Sequence, residues 1–163
     1  MKNSRPLVVR RATPDDAELI HHFVCELARY EKEPDAVKAT PDSLRAQLCA
    51  SHPPFECLVA ELGGVPVGFA LFFANYSTWR GRPGVWLEDL FVPEQHRGKG
   101  AGRALLVEVA RIAKERGCAR MEWAVLDWNR PAIDFYRSLG ALPLEEWTIF
   151  RLSDEALAEL TRR

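Results

Sequence analysis

Residues 95–106 read QHRGKGAGRALL and follow the apolar run VWLEDLFV. Gly98, Gly100 and Gly102 alternate with Arg97, Lys99 and Ala101, and Arg103 comes next. Glycine lets the backbone adopt positive φ and lets a ligand come close to the amides. The first turn of a following helix adds unpaired N–H groups, so this junction reads as an anion site, usually for phosphate. A second feature lies in the strand before it. Glu88 and Asp89 are adjacent, and in a regular strand they point to opposite faces, so one can face a pocket while the other faces away. A third is Tyr136 in DFYRSLG, a phenol with an ordinary pKa of about 10 that keeps its proton at neutral pH.

These groups need elements to hold them. LVVRRA opens as a short β-branched strand. Thr13-Pro14-Asp15-Asp16 reads as a helix start, with Thr as cap, Pro in the first turn and acids behind it. Ile20, Phe23, Val24 and Leu27 then recur at helical spacing. Thr40-Pro41-Asp42 repeats the start signal for a shorter helix. FECLVAEL and VPVGFALFFANY are strands joined by the turn Gly63-Gly64. VWLEDLFV suits a central strand. The helix after the glycine loop carries Leu105, Leu106, Val109, Ile112 and Ala113 and stops at Gly117. ARMEWAVL predicts a strand, Asn129 caps a helix closed by Gly140, and EEWTIFRL predicts a last strand before a short helix, DEALAELTR. Hairpins mixed with helical crossovers give an α+β class with a mixed sheet.

Composition bounds the rest. At 163 residues with no linker-like stretch, one domain over 1–163 is expected. Basic and acidic residues nearly balance, 22 against 23, which argues against a nucleic-acid surface. No apolar run is long enough for a membrane span, and MKNSRPLVVRRAT lacks a signal core. A cytoplasmic protein is expected. Cys25, Cys49, Cys57 and Cys118 are scattered and read as free buried thiols rather than a metal cluster. The four histidines show no ligand spacing, so no metal is expected.

The glycines fit neither the dinucleotide fingerprint GxGxxG, which needs other spacing, nor a Walker loop, which needs GxxxxGK[ST]. The run RGKGAG resembles the RGxGxG/A pyrophosphate loop of the GNAT superfamily of N-acetyltransferases. ELARYE, FECLVAEL, VGFALFFANYSTW, LEDLFV and AVLDWNRPAIDFYRSLGA are similar, in register, to the diamine acetyltransferase branch typified by spermidine/spermine N-acetyltransferase. The resemblance implies a GNAT fold with a central mixed, mostly antiparallel sheet flanked by helices. It also implies acetyl-CoA as cosubstrate, a small cationic amine as acceptor, and a homodimer whose subunits complete each other's acceptor sites.

Site roles come from the same resemblance. It gives acetyl-CoA the loop Arg97, Gly98, Lys99, Gly100, Ala101, Gly102 and Arg103, and the backbone of Leu90, Phe91 and Val92 on a strand splayed by a bulge. Asn129, Pro131 and Ala132 would meet the pantetheine arm, although Asn129 also suits a plain helix cap. Tyr136 is the general acid for the departing thiolate, and Glu88 binds the acceptor and takes its proton through water. Tyr30, Glu31, Asp89, Glu122, Trp123 and Glu146 would line an acidic, aromatic slot, since carboxylates and π faces both favour ammonium groups. Trp79, which ends the VGFALFFANYSTW match, is expected to bind the acceptor with them. Ser77 departs from the acidic residue of the polyamine enzymes, which brings a shorter diamine or a lysine-like amino acid such as thialysine level with a polyamine.

The chemistry sets a cost. An amine with a pKa of about 10.4 is neutral at pH 7 in only on the order of one molecule in a thousand, so deprotonation costs roughly 4 kcal/mol before any bond forms. The site must bind a cation and then take its proton. Acetylation of a protein N-terminus or lysine is the competing enzyme reading. A non-catalytic acetyl-CoA sensor is the competing binding reading, and the presence of Tyr136 and Glu88 speaks against it.

Overall fold

A computed structural model describes residues 6–162. The strands are β1 (Leu7–Arg11), β2 (Glu56–Leu62), β3 (Val65–Ser77), β4 (Arg82–Phe91) and β5 (Met121–Glu122). The helices are α1 (Ala17–Tyr30), α2 (Pro41–Leu48), α3 (Ala101–Glu115), α4 (Arg130–Ser138) and α5 (Asp154–Leu160). The chain divides into two compact units, one ending at Ala124 and one beginning at Val125.

The first unit holds the sheet, in order β1-β2-β3-β4-β5. The first four strands pair antiparallel, and β5 joins β4 in parallel. Gly63 and Gly64 take φ of 63° and 79°, the left-handed pair that a two-residue hairpin between β2 and β3 requires. One face of the sheet carries Cys57, Phe69, Leu71 and Phe91, packed with Ala17, Ile20 and Phe23 of α1 and Leu44 of α2. Side chains alternate along a strand, so Leu58, Ala70 and Phe72 belong to the other face. There α3 packs against the sheet, burying Leu105, Leu106, Val109 and Ile112.

Local signals formed as their chemistry dictates. Thr13 and Asp16 make a capping box ahead of α1. Both oxygens of Asp16 also accept from Arg10 at 2.8 Å, which fastens β1 to the helix start. Burial alone would raise the Asp16 pKa, but the Arg10 guanidinium outweighs it and holds the carboxyl below its usual range. Cys118 N–H donates to the Ala113 carbonyl around Gly117, at φ 71°, closing α3.

Three expectations need correction. The run ARMEWAVL yields only Met121–Glu122 as strand, paired at Val85↔Met121 and Trp86↔Glu122. Its partner β4 bulges just beyond, at Glu88, and a parallel ladder cannot follow a strand that turns away. EEWTIFRL forms no strand. Its side chains Trp147, Ile149 and Phe150 are exposed, because strand propensity without a partner makes no ladder. The cysteines are all free, but only Cys57 is buried, Cys49 is exposed and the other two are half-buried.

Gly68 sits where β3 passes the end of β4. A Cβ there would lie 2.7 Å from the Phe91 carbonyl oxygen and 2.9 Å from Val92 Cγ2. Backbone cannot swing aside as a side chain does, so Gly68→Ala is expected to destabilise the chain by about 1–3 kcal/mol, read as a lower urea midpoint.

Candidate active site

The candidate donor side is built from β4, the glycine loop and the start of α3. Gly98 and Gly100 take φ of 73° and 87°, and Gly100 is the cap residue of α3. A Cβ at Gly98 would meet nothing within 4 Å, and one at Gly100 only Leu7 Cδ2 at 3.8 Å. The glycines are therefore required by backbone shape, and the space above them is open for a ligand. The first turn of α3 contains no acid, so its N–H groups face no competing carboxylate and suit an anion. Lys99 and Arg103 are exposed there, as are Gly98 and Gly100. Arg97 is turned back: its Nε donates to the Val92 carbonyl at 2.9 Å, and its guanidinium lies 4.7 Å from the centre of the Tyr30 ring. Of the strand residues, Phe91 is buried in the core, and Leu90 and Val92 are half-buried. Past Trp86, β4 has β3 on one side and no ladder partner on the other among the described residues. That open edge is where its backbone can meet an extended ligand.

The candidate acceptor side lies on the α1-facing side of the same strand. In the ladder Phe72 pairs with Leu87 and Leu71 with Asp89, so Glu88 is the extra residue of a β-bulge. The expectation that Glu88 and Asp89 point to opposite faces fails for that reason. Asp89 lies opposite Leu71, whose side chain packs in the α1 core. Glu88 is brought to the same side, where its Oε2 accepts from the Trp86 indole N–H at 2.8 Å. Glu31 caps the C-terminus of α1, half-buried, and the Tyr30 ring stands 6.4 Å from that of Phe91.

Charge is poorly compensated here. Asp89 is half-buried, with no hydrogen bond or ion pair to it among the described residues. Desolvation first, and then the charges of Glu88 and Glu31, push its carboxyl up to about 7 from an ordinary 3.8. Burial also raises Glu31. Glu122 differs: its Oε2 is held by Arg120 Nε at 2.8 Å and by Asn75 Nδ2 at 3.2 Å, so its charge is already matched. Arg120 also donates to Ser77 Oγ at 3.2 Å, and that oxygen accepts from the Arg80 amide.

The structure thus brings Tyr30, Glu31, Glu88 and Asp89 together. Glu122 stands beside Trp86 in the ladder, and Trp123 follows it, half-buried. Trp79 does not join them. It is exposed in the turn between Ser77 and Arg82, about 20 Å along β4 from Glu88 at the usual rise per residue. In the second unit, Asn129 is buried and its Oδ1 accepts from the Ala132 amide at the start of α4, where Arg130, Pro131 and Ala132 form the first turn. Tyr136 lies on α4, with its ring 5.4 Å from that of Phe135. Glu146 is exposed. Sequence reasoning missed Trp86, Asn75 and Arg120. Trp86 was findable, since a residue two before Glu88 shares its side of a strand. Among the described residues no group of His, Cys, Asp and Glu stands ready to hold a metal.

The family model for the acetyltransferase (GNAT) family matches residues 19–141. The thialysine N-epsilon-acetyltransferase of Bos taurus is 40% identical, over 94% of this chain and 96% of its own length. The L-ornithine N5-acetyltransferase of Arabidopsis thaliana is 31% identical over 94% of this chain and 87% of its own. Among solved structures, an integron cassette protein from V. cholerae superposes with a TM-score of 0.79 at 26% identity, over 96% of this chain and 98% of its own.

A carboxylate whose proton affinity rises on folding favours the folded state in acid and opposes it once ionised. For Asp89 that contribution is complete below about pH 4 and lost as pH rises through about 7. The penalty has a ceiling of about 4 kcal/mol, and partial exposure to solvent reduces it to about 1–3 kcal/mol. Asp89→Asn is therefore expected to raise the urea midpoint at pH 8, with the gain shrinking towards pH 4.

Proposed function

Because the chain belongs to the acetyltransferase (GNAT) family, whose cosubstrate is acetyl-CoA, we propose that its acceptor is a small lysine-like amino acid of the thialysine type, acetylated on its side-chain amine by direct attack on the thioester. The observation that carries this reading is the placing of Glu31, Glu88 and Asp89 around the β4 bulge, one loop before the anion-binding turn. Three carboxylates with two aromatic neighbours, Tyr30 and Trp86, suit an ammonium group. Relatives named as thialysine N-epsilon-acetyltransferases that span nearly the whole chain support the acceptor class.

In this reading the backbone of residues 97–103 holds the pyrophosphate, and the open edge of Leu90, Phe91 and Val92 meets the pantetheine arm and thioester. An amide donating to the thioester oxygen stabilises the oxyanion as the amine attacks. Glu88 meets the incoming ammonium. Asn129, Pro131 and Ala132 contact the arm, and Tyr136 gives its proton to the leaving sulfur. These roles rest on the family likeness. By the same likeness the chain works as a homodimer, and its free thiols suit the reducing cytoplasm.

A panel of thialysine, ornithine, putrescine, spermidine and an N-terminal peptide, followed by CoA release, tests the acceptor. Thialysine is expected to give the highest kcat/KM, and a preference for spermidine or the peptide would overturn the reading. Gly100→Asp places a side chain and a negative charge in the anion site, and calorimetry is expected to show acetyl-CoA binding lost in a folded variant. Tyr136→Phe keeps the ring but removes the proton. Its turnover is expected to fall by roughly 10²–10⁴-fold with acetyl-CoA affinity nearly level, and wild-type turnover would make Tyr136 a packing residue.

A further inference from the structure

The family likeness gives the acceptor's proton to Glu88. The geometry points to a different group: we infer that Asp89 is the carboxylate that takes the proton from the acceptor ammonium, with Glu88 steering the cation to it. The inference rests on the amine-acceptor reading above.

Three observations separate the two residues. The bulge puts both on the α1-facing side of β4, so neither is excluded by direction. Glu88 is exposed, and one of its oxygens is occupied by the Trp86 indole. It is a solvated, oriented charge, suited to drawing in a cation. Asp89 is withdrawn between β4 and the end of α1, and no donor reaches it among the described residues. Among the described residues of the first unit, the groups found against it are acidic or neutral. Glu88 lies on its own strand and Glu31 on α1. Leu71 lies opposite on β3, and the buried thiol of Cys57 stands further off on β2. The nearby cation, Arg97, is committed to the Val92 carbonyl and the Tyr30 ring.

Such a carboxylate binds a proton about a thousandfold more tightly than an ordinary one. That narrows the gap to an amine by as much, and a base with affinity near the working pH is the efficient kind. The protons balance as follows. The acceptor R–NH3+ gives one proton to the Asp89 carboxylate, leaving R–NH2 and the neutral acid. The nitrogen lone pair forms the N–C bond to the acetyl carbonyl carbon, and the C–S bond breaks with its electron pair on sulfur. The second nitrogen proton is lost as the amide forms and, through the proton donor to the leaving group, ends on sulfur as CoA thiol. Asp89 then returns its proton to water.

The test compares wild type, Asp89→Asn and Glu88→Gln with thialysine at saturating acetyl-CoA, over pH 5.5–9.5. Wild type is expected to lose kcat/KM on the acid side of an apparent pKa of about 7. Glu88→Gln should keep that limb, moved toward acid because the Glu88 charge no longer raises Asp89, with a raised amine KM. Asp89→Asn should lose the limb, with kcat down roughly 10²–10⁴-fold and the amine KM within a few-fold of wild type. An Asp89→Asn enzyme that keeps the limb, or that raises KM with kcat preserved, overturns the inference. So does loss of the limb in Glu88→Gln alone. A second measurement needs no turnover: ¹³C titration of the aspartate carboxyls in the free protein, with the Asp89 signal identified by its absence from Asp89→Asn. A titration near 7 is expected, and one in the ordinary carboxylate range overturns the inference. Wild type that binds acetyl-CoA but releases no CoA with any amine of the panel would strike the acceptor reading, while the titration still judges Asp89 by itself.

Discussion

One extra residue in β4 organises the candidate site. Two residues of β4, Glu88 and its neighbour, face a single step of β3 between Leu71 and Phe72, and a bulge of this kind bends the strand and re-aims what it carries. The bend brings two consecutive carboxylates to one side, which a regular strand forbids. It also ends the parallel ladder at Trp86↔Glu122, leaving the second half of β4, residues 87–91, with no ladder partner on that edge among the described residues. Gly68 lets β3 stay close to β4 beyond the bulge, because any side chain there would strike the Phe91 carbonyl. Both the open edge and the paired acids follow from the same irregularity.

Charge is handled in two ways in the first unit. Where carboxylates hold the fold together they are matched by arginine: Asp16 and Glu61 by Arg10, Glu56 by Arg11 and Arg116, and Glu122 by Arg120. Asp16 and Glu56 are accordingly held below their usual carboxylate range. Around the bulge the pattern reverses. Glu31 and Asp89 are withdrawn from water with no cation paired to them among the described residues, and both are pushed upward. Leaving like charges together costs stability, which a fold tolerates where function needs it. In the proposed function a cationic amine would supply the missing charge.

Features decided within a few residues of chain were legible in the sequence. The Thr13 and Thr40 starts, the Gly63-Gly64 turn, the Gly117 stop and the left-handed Gly98 and Gly100 all follow from local backbone chemistry. So does the glycine turn that opens α3, since its first-turn N–H groups and glycines are contiguous. The helical spacing of α1 and α3 told which faces would be buried.

What the sequence could not decide was pairing. ARMEWAVL and EEWTIFRL have the composition of strands, but a ladder needs a partner in register. The first run found two residues of one, and the second found none. The bulge is likewise a relation between two strands, invisible in LEDLFV alone. The direction of Asp89 and the company of Glu31, Trp86 and Arg97 came only with it. The sequence by itself determined which chemical groups the chain carries and the local turns that present them. The tertiary structure decided which of those groups share a face and which are stripped of water, because register and burial depend on residues far apart in the chain.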